Sequence, residues 1–321
     1  MHIMNETIRI SSASKMTCYF LPPPPFDFER SAGMHGRFRK NLPDVYENGV
    51  YKRVLHVGKK PVLVSVSSKG TVERPRLSVE IHPRLLPQEM KYLRKLLNVM
   101  FAPSFDFNGF YYVAKKDRMM HAIVKHLRGL RPVSPPTLFE ALIIAITEQQ
   151  ISLDAAMSIR SRLVQKYGDR MALNGGEFYA FPTPDVLAET SPKKIRAVGL
   201  SINKARYVNE LSNRVAKGEL NLEKLREMND ECAITELTKI KGVGQWTAEY
   251  ALIRGMGRVN SLPADDLGIQ RAVSRAYFNG KKVSSKTVRK VLAKFAPYSG
   301  IAAFFLMYHL FWEGETRPGS S

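Results

Sequence analysis

Cysteine is almost absent from this sequence, with Cys18 and Cys232 the only two in 321 residues. They lie far apart and lack the close spacing of metal ligands. The chain therefore cannot build a four-cysteine iron–sulfur cluster or a cysteine-rich zinc site. Such sparse cysteine usage fits a reducing, intracellular compartment.

Long apolar runs are also missing. No segment approaches the ~20 residues of a membrane helix, and residues 1–15 lack the apolar core of a signal peptide. We therefore expect no membrane partner and a cytoplasmic or other intracellular location. Residues 1–15 are expected to be a flexible N-terminus, and residues 314–321 a solvated tail.

Acidic residues are outnumbered, since 29 Asp and Glu face 49 Lys and Arg, for a formal net charge of +20. A basic surface attracts phosphates, so this excess favours a polyanionic partner. Basic proteins that have no nucleic-acid-binding site also exist, so charge alone does not decide whether this chain binds nucleic acid. With 44% hydrophobic residues, the chain is long enough for two or three domains with real cores.

The patterns that are present predict an α+β fold. Residues 16–86 contain short Val-rich segments separated by glycine turns, which predicts a small antiparallel sheet domain. From residue 87 the apolar period becomes helical, so 87–313 is predicted to be an all-helical body without strands. The predicted strands are 16–21, 50–57, 61–67 and 76–81, and the predicted helices include 117–127, 138–150, 153–167, 191–198 and 202–215.

The strongest chemical signal lies between Leu237 and Arg271. An apolar helical run ends in Gly242-Val243-Gly244, and a second helix begins at once with Gln245. Glycines between helices leave backbone N–H groups uncovered, and such groups at a helix N-terminus bind phosphate oxygens. Val243 would anchor the turn in the core. A plain αα-turn, in which the glycines only relieve strain, explains the same spacing.

A loop containing Pro263 then brings Asp265 and Asp266 to the start of a third helix. An isolated Asp at this place is usually only an N-cap. A carboxylate beside a sugar can instead stabilise an oxocarbenium-like transition state or orient water. The position shortly after a phosphate-type hairpin in a basic chain favours the chemical role.

These segments together resemble the helix-hairpin-helix, Gly/Pro-Asp (HhH-GPD) superfamily of DNA glycosylases, and within it the AlkA-like 3-methyladenine DNA glycosylase II branch. The resemblance rests on Lys241-Gly242-Val243-Gly244-Gln245-Trp246-Thr247-Ala248, on Leu262-Pro263-Ala264-Asp265-Asp266-Leu267-Gly268-Ile269, and upstream on Gly129-Leu130-Arg131-Pro132, Phe139 and Glu148-Gln149-Gln150-Ile151-Ser152. It covers most of 16–312 and is strongest over 129–168 and 237–275. It implies a small sheet domain followed by a two-lobed helical catalytic body with a cleft between the lobes.

The resemblance assigns the catalytic carboxylate to Asp266, because Ile269 fills the apolar position three residues later. Asp265 would be a helper or a cap. Bifunctional relatives carry a nucleophilic Lys shortly after the hairpin glycines, where this chain has Trp246. We therefore expect no Schiff-base lyase chemistry and a monofunctional enzyme with water as the final acceptor.

Trp246 and Tyr250 lie four residues apart on one helical face. Such a pair is usually core, but in this motif it resembles the walls of a base pocket. An electron-rich ring favours a cationic, alkylated purine once the nucleotide has left the stack. The resemblance makes Gln150 the residue that fills the gap in the duplex, and a surface Gln is the alternative.

The backbone of Ile240, Gly242, Val243 and Gly244 is expected to hold the DNA phosphate without reading sequence. No cofactor and no side-chain metal site are expected, although main-chain carbonyls of the hairpin could hold a monovalent cation. Lys204 is expected to be a solvated lysine, and a contact with DNA is the alternative.

Near the C-terminus, Pro297-Tyr298-Ser299 lacks the Arg that relatives often carry. The phosphate or base contact of that Arg is therefore not expected here. The aromatic helix over 304–312 is predicted to be mostly core, with Phe304 or Tyr308 as candidates for the pocket lining.

The sequence thus predicts a monomeric, monofunctional DNA N-glycosylase of base excision repair, located with DNA in a nucleoid or nucleus. It would flip alkylated purines out of duplex DNA and release them by hydrolysis. One alternative is a relative specific for 8-oxoguanine or deaminated bases. Another is a non-catalytic DNA-binding protein that keeps only the hairpin and has no need of Asp266.

Overall fold

The computed structural model describes residues 8–9, 15–37, 42–101 and 106–313. The first strands are β1 (Ile8–Arg9), β2 (Met16–Phe20), β3 (Val45–Glu47), β4 (Val50–Val57), β5 (Lys60–Ser68) and β6 (Leu77–His82). All of these but β1 form a five-stranded antiparallel sheet with the strand order β2-β6-β5-β4-β3. The four strands predicted from the sequence are confirmed, each to within one residue at either end.

One face of this sheet packs against α1 (Phe28–Gly33) and α2 (Pro87–Phe101). Alternate residues of β5 point into that core, because successive side chains of a strand face opposite sides. The ring of Phe101 lies 5.6 Å from that of Tyr51 and 6.1 Å from that of Phe28. The sheet residues buried in this core are Phe20, Tyr51, Leu55, Val57, Val62, Val64, Val66, Leu77, Val79 and Ile81.

The remainder is mostly helical, with two separate hydrophobic cores. Its helices are α3 (Phe107–Ala114), α4 (Arg118–His126), α5 (Leu138–Glu148), α6 (Leu153–Tyr167), α7 (Pro184–Glu189), α8 (Pro192–Arg196), α9 (Ile202–Ala216), α10 (Asp230–Thr238), α11 (Gln245–Met256), α12 (Leu267–Tyr277), α13 (Ser285–Leu292) and α14 (Ser299–Tyr308). Helices α5 to α11 surround the first core, and α3, α4 and α12 to α14 surround the second. The boundaries 16–86 and 87–313 stay predictions.

Helix α5 is the central element of the first core. The Thr137 hydroxyl accepts a hydrogen bond from the Glu140 N–H at 3.2 Å, which fixes the start of the helix as predicted. Every residue from Leu138 to Thr147 is buried, as expected of a helix that is apolar on all sides. Helix α11 packs closely against it at Gly255, where an added Cβ would lie 2.7 Å from the Ala141 side chain.

The prediction of a body without strands is wrong. A hairpin of β7 (Arg170–Leu173) and β8 (Gly176–Tyr179) lies between α6 and α7, joined by Asn174-Gly175, both at positive φ. Asn-Gly is a strong hairpin signal, but strands of four residues are too short to show a clear alternation.

The segment predicted to be a flexible N-terminus contributes β1, which pairs in parallel with β7 in the register Ile8↔Met171. The rest of that segment, 1–7 and 10–14, lies outside the described residues. So does the predicted tail, 314–321.

A buried ion cluster joins the sheet to the helical body. The Arg53 guanidinium on β4 donates to Asp44 at 2.6 Å and to Glu140 of α5. All three side chains are at most 7% exposed. Burial alone would raise the pKa of Asp44, but Arg53 holds it well below its usual range. Burial raises the pKa of Glu140 despite the same partner. The guanidinium therefore balances two carboxylates removed from water.

Within the described residues, no single helix is long and apolar enough to cross a membrane. Two segments meet that test only when taken together, Ser285–Phe295 and Ser299–Phe311, and the chain bends by 107° between them.

Candidate active site

The hairpin predicted from the glycines is the turn between α10 and α11. Its N–H groups at Ile240 and Val243 donate to Leu237 O and Ile240 O, each at 3.0 Å. The side chains of Ile240 and Val243 are each 4% exposed and belong to the first core. The apolar residues therefore anchor the turn, and its backbone is left at the surface.

The two glycines of the hairpin differ in whether the fold leaves room for a side chain. Gly242 has a φ of +86°, and an added Cβ would lie 2.2 Å from the ring of Tyr207. Only glycine fits there without displacing that ring. At Gly244 an added Cβ would meet nothing within 4 Å, and φ is −90°.

Gly244 is the N-cap of α11 and provides no side chain to satisfy the first N–H groups of the helix. These N–H groups have no carbonyl one turn earlier to bind, and the helix dipole places partial positive charge beside them. Gly244 and Gln245 are exposed. The start of α11 is therefore open to an anion such as a phosphate.

Gln149 ties the end of α5 to this hairpin, a contact that the sequence did not predict. Its Nε2 donates to Gly242 O at 2.9 Å and to Thr247 Oγ1 at 2.8 Å. The following residue, Gln150, is exposed and has a φ of +55°. The structure thus places Gln150 at the surface beside the hairpin, and its role in the duplex stays a prediction.

Lys204 supports the same junction, and its prediction as a solvated lysine is wrong. Its Nζ donates to Thr147 O at 2.9 Å and to Gln149 O at 2.5 Å, so the ammonium caps the C-terminus of α5. Burial lowers the pKa of Lys204, which Glu148 partly opposes. Lys204 lies at the start of α9, 55 residues along the chain from Gln149. No local sequence pattern therefore predicts that it caps α5.

Asp266 is both a helix cap and an open carboxylate. Its Oδ1 accepts from Gly268 N at 2.7 Å and from Ile269 N at 3.1 Å, at the start of α12. Its Oδ2 accepts from Trp246 Nε1 at 3.2 Å. The residue is partly exposed, and Asp265 is exposed beside it. The capping interpretation therefore holds for one oxygen, while the other oxygen faces the indole.

Trp246 and Tyr250 form an aromatic pair beside that carboxylate. Their ring centroids are 5.4 Å apart, with 40° between the planes. Both residues are partly exposed, although Tyr250 also packs against the first core. The pair is thus neither wholly core nor free in solvent.

Glu148, the last residue of α5, lies within electrostatic reach of Tyr250, and the sequence did not single it out for chemistry. Burial raises the pKa of Tyr250 well above its usual range, and the Glu148 charge raises it further. Burial also raises the pKa of Glu148, and the Asp266 carboxylate adds to that shift, while Arg160 opposes it. A second carboxylate therefore lies within electrostatic reach of Asp266.

The C-terminal aromatic helix α14 is largely core, as predicted. Tyr308 is 8% exposed and belongs to the second core, so it is not free to line a pocket. Met307 and Phe311 approach the start of α12 instead, since a Cβ added at Gly268 would lie 3.3 Å and 3.8 Å from them. Tyr298 lies elsewhere and donates to Asp106 at 3.2 Å.

In the described part of the chain, no group of three or more His, Cys, Asp or Glu is placed to hold a metal ion. The hairpin carbonyl of Gly242 is already an acceptor for Gln149.

A helix-hairpin-helix with an open helix start, next to a carboxylate and an aromatic pair, defines a DNA-binding protein equipped for chemistry on a nucleotide. The family model of the HhH-GPD superfamily of base excision DNA repair proteins matches residues 143–297, which confirms the resemblance to that superfamily.

Similar proteins agree with this match. A DNA-3-methyladenine glycosylase of Bacillus subtilis (strain 168) is 28% identical over 287 residues, or 88% of this chain and 94% of that protein. The structure of a 3-methyladenine DNA glycosylase from Archaeoglobus fulgidus is 28% identical, with a TM-score of 0.79 over 92% of this chain and 99% of that one. The Schizosaccharomyces pombe 3-methyladenine DNA glycosylase Mag1, in complex with abasic DNA, is 27% identical. Its TM-score is 0.55 over 63% of this chain and 95% of that chain.

The fold and the family predicted from the sequence are therefore confirmed. The structure brings Asp266, Trp246 and Tyr250 together and places the Gln150 loop beside the hairpin. The catalytic, base-binding and DNA-binding roles of these residues stay predictions.

Proposed function

We propose that this protein is a monofunctional DNA N-glycosylase of base excision repair that flips and releases alkylated purines of the 3-methyladenine type from duplex DNA. One observation carries the proposal. Asp266 is partly exposed, and one oxygen of its carboxylate accepts a hydrogen bond from the indole N–H of Trp246 at 3.2 Å. A base stacked on the aromatic pair would bring its sugar close to this carboxylate.

In the proposed reaction the C1′–N9 bond breaks and both of its electrons leave with the purine. The sugar gains positive charge as the bond lengthens, and Asp266 stabilises that charge. Water then bonds to C1′ and loses a proton, which passes by way of the carboxylate to solvent. A purine that carries a methyl group and a positive charge leaves as a neutral base, so it needs no general acid.

The hairpin supports the proposal on the DNA side. The open start of α11 would hold a phosphate by backbone N–H groups of the Gly244 turn, with Ile240 and Val243 as anchors. Gln150, at the surface beside the hairpin, would fill the space left by the flipped nucleotide. A monovalent cation on the hairpin carbonyls is proposed as an aid to this contact, and no other cofactor is required.

We also propose that the protein acts as a monomer, inside the cell and with the DNA, in a nucleoid or nucleus. A single chain contains the hairpin, the carboxylate and the aromatic pair.

A base-release assay tests the proposal. Duplexes that contain 3-methyladenine, 7-methylguanine, hypoxanthine or 8-oxoguanine are incubated with the protein, and the free bases and strand breaks are measured. We expect release of the methylated purines without strand cleavage, and no complex trapped by borohydride, because Trp246 stands where a nucleophilic Lys would be.

Other outcomes identify the alternatives. Release of 8-oxoguanine or hypoxanthine alone would assign the protein to a different lesion. Binding without release of any base would leave a DNA-binding protein. A trapped complex would contradict the monofunctional mechanism.

A further inference from the structure

The loop that leads to Asp266 is held by an arginine of α13. Arg289 donates from Nη1 to Leu262 O at 3.1 Å and from Nη2 to Glu249 Oε1 at 2.7 Å. Leu262 lies at the start of that loop, and Glu249 lies on α11, the helix of the aromatic pair. One guanidinium therefore joins the chain that carries the carboxylate to the helix that carries the aromatic rings.

Glu249 is a buried anchor for this arginine. Its side chain is 4% exposed, whereas that of Arg289 is 43% exposed. Its Oε1 also accepts from Gln245 Nε2 at 2.8 Å, and its backbone O accepts from Ser261 Oγ at 3.0 Å. Burial raises the pKa of Glu249, and the hydrogen bonds from Gln245 and Arg289 oppose that shift. The carboxylate thus depends on its donors and binds the guanidinium by a charge-assisted hydrogen bond of defined direction.

The contact spans the two hydrophobic cores of the helical body. Leu262 and Val288 belong to the second core, whereas Ala248 and Leu252 of α11 belong to the first. Apolar packing is not directional. A guanidinium whose two nitrogens bind separate acceptors sets both a distance and an orientation. Arg289 therefore fixes how the loop lies against α11.

The turn between Leu262 and Asp266 transmits this position to the carboxylate. Leu262 O also accepts from Ala264 N at 2.8 Å, and Asp266 N donates to Pro263 O at 3.0 Å. The side chains of Leu262 and Ala264 are buried in the second core. A shift of Leu262 would therefore move Asp266 relative to the indole N–H that it binds.

We propose that Arg289, anchored on Glu249, is a positioning residue that fixes the Asp266 carboxylate against the aromatic pair. The inference rests on the proposed function and deepens it, since it assigns a residue that acts through Asp266 rather than on the DNA. A displacement of about 1 Å at a reacting group can lower a rate by about a hundredfold, so a residue of this kind affects the chemical step.

The first test needs no DNA. Hydrogen exchange is measured by mass spectrometry on peptides that span residues 259–269, in the wild type, Arg289→Ala and Lys290→Ala. We expect faster exchange in Arg289→Ala, because the loop loses the donor to Leu262 O and opens more often. Lys290 is the next residue of α13 and is exposed, so Lys290→Ala is the control that removes the same charge. Equal exchange in all three proteins would overturn the positioning role.

The second test is a double-mutant cycle with Asp266→Asn. Single-turnover release of 7-methylguanine and affinity for the same duplex are measured. Arg289→Ala should lower the release rate by about tenfold to a hundredfold at nearly unchanged affinity, and Lys290→Ala should not. In the Asp266→Asn background the loss from Arg289→Ala should largely vanish, because the carboxylate that Arg289 positions is gone. Equal losses in both backgrounds would overturn the inference.

Arg289→Lys separates geometry from charge. A lysine keeps the positive charge but lacks the rigid fork that reaches two acceptors, so it should recover only part of the rate. Full recovery would assign the effect to charge alone, and lower affinity at an unchanged rate would make Arg289 a DNA contact, and both results would overturn the positioning role. A wild-type protein that releases no base would overturn the proposed function, whereas the exchange measurement would still decide whether Arg289 holds the loop.

Discussion

At the scale of residues, Asp266 combines two roles that the sequence presented as alternatives. One oxygen caps α12 and the other is bound to Trp246, so the cap holds the carboxylate still while it faces the indole. The sequence could predict Asp266 and the pair Trp246 and Tyr250, because a local motif and a spacing of four residues place them. It could not predict the contacts of Gln149 with Gly242 and Thr247, because they form only through the packing of α5 against α11.

The cap and the chemistry of Asp266 can be separated by two substitutions. Asp266→Asn keeps an oxygen that accepts from Gly268 N and Ile269 N, so its free energy of unfolding should match that of the wild type. Asp266→Ala removes the acceptor and should cost about 0.5–2 kcal/mol. Urea unfolding of the three proteins measures both effects. Equal stability of Ala and Asn variants would contradict the capping role.

At the scale of elements, local signals were sufficient for most helices and strands. The Val-rich alternation predicts β4 and β5, and Thr137 predicts the start of α5. These predictions hold because each feature depends on residues that are close in the chain. The β7–β8 hairpin was missed because its stability comes from distant partners. It pairs with β1 and meets the sheet through a bridge between Val54 and Ala180. The Lys204 cap of α5 was missed for the same reason.

The α10–α11 hairpin offers a matched pair of glycines. Gly242→Ala forces a Cβ into the Tyr207 ring at a positive φ, so it should destabilise the fold by about 1–3 kcal/mol. It should also weaken DNA binding, because the turn moves. Gly244→Ala meets neither a clash nor a strained φ and should leave stability within about 0.5 kcal/mol. Thermal unfolding of both variants and binding of Gly242→Ala to an undamaged duplex measure these effects, and equal losses of stability in both variants would contradict this account of the turn.

At the scale of the whole molecule, the sheet and the helical body are joined by the Asp44–Arg53–Glu140 cluster. A buried charge pair adds little net stability, but removal of one partner leaves the other charge without compensation. The cluster therefore constrains how the two parts fit together. No sequence pattern predicted it, since a lone Arg in a strand resembles an exposed residue.

Arg53→Met should destabilise the protein by about 3–5 kcal/mol, because it removes the guanidinium shared by two buried carboxylates. Both carboxyls should then have raised pKa values, so the deficit should shrink as the pH is lowered and they protonate. Arg128→Met is the control, since Arg128 pairs with Glu73 at the surface and should cost at most about 1 kcal/mol. Urea unfolding at neutral and acidic pH checks both statements. Similar losses in the two variants would contradict the role of the cluster.

The central claim is that the Asp266 carboxylate performs the chemistry in a protein that binds DNA through its hairpin. The most direct measurement is single-turnover release of 7-methylguanine from duplex DNA by wild type and by Asp266→Asn, with DNA affinity measured in parallel. The account predicts release by the wild type and a loss of on the order of a hundredfold or more in Asp266→Asn, at nearly unchanged affinity. An Asp266→Asn protein that releases the base as fast as the wild type would contradict it.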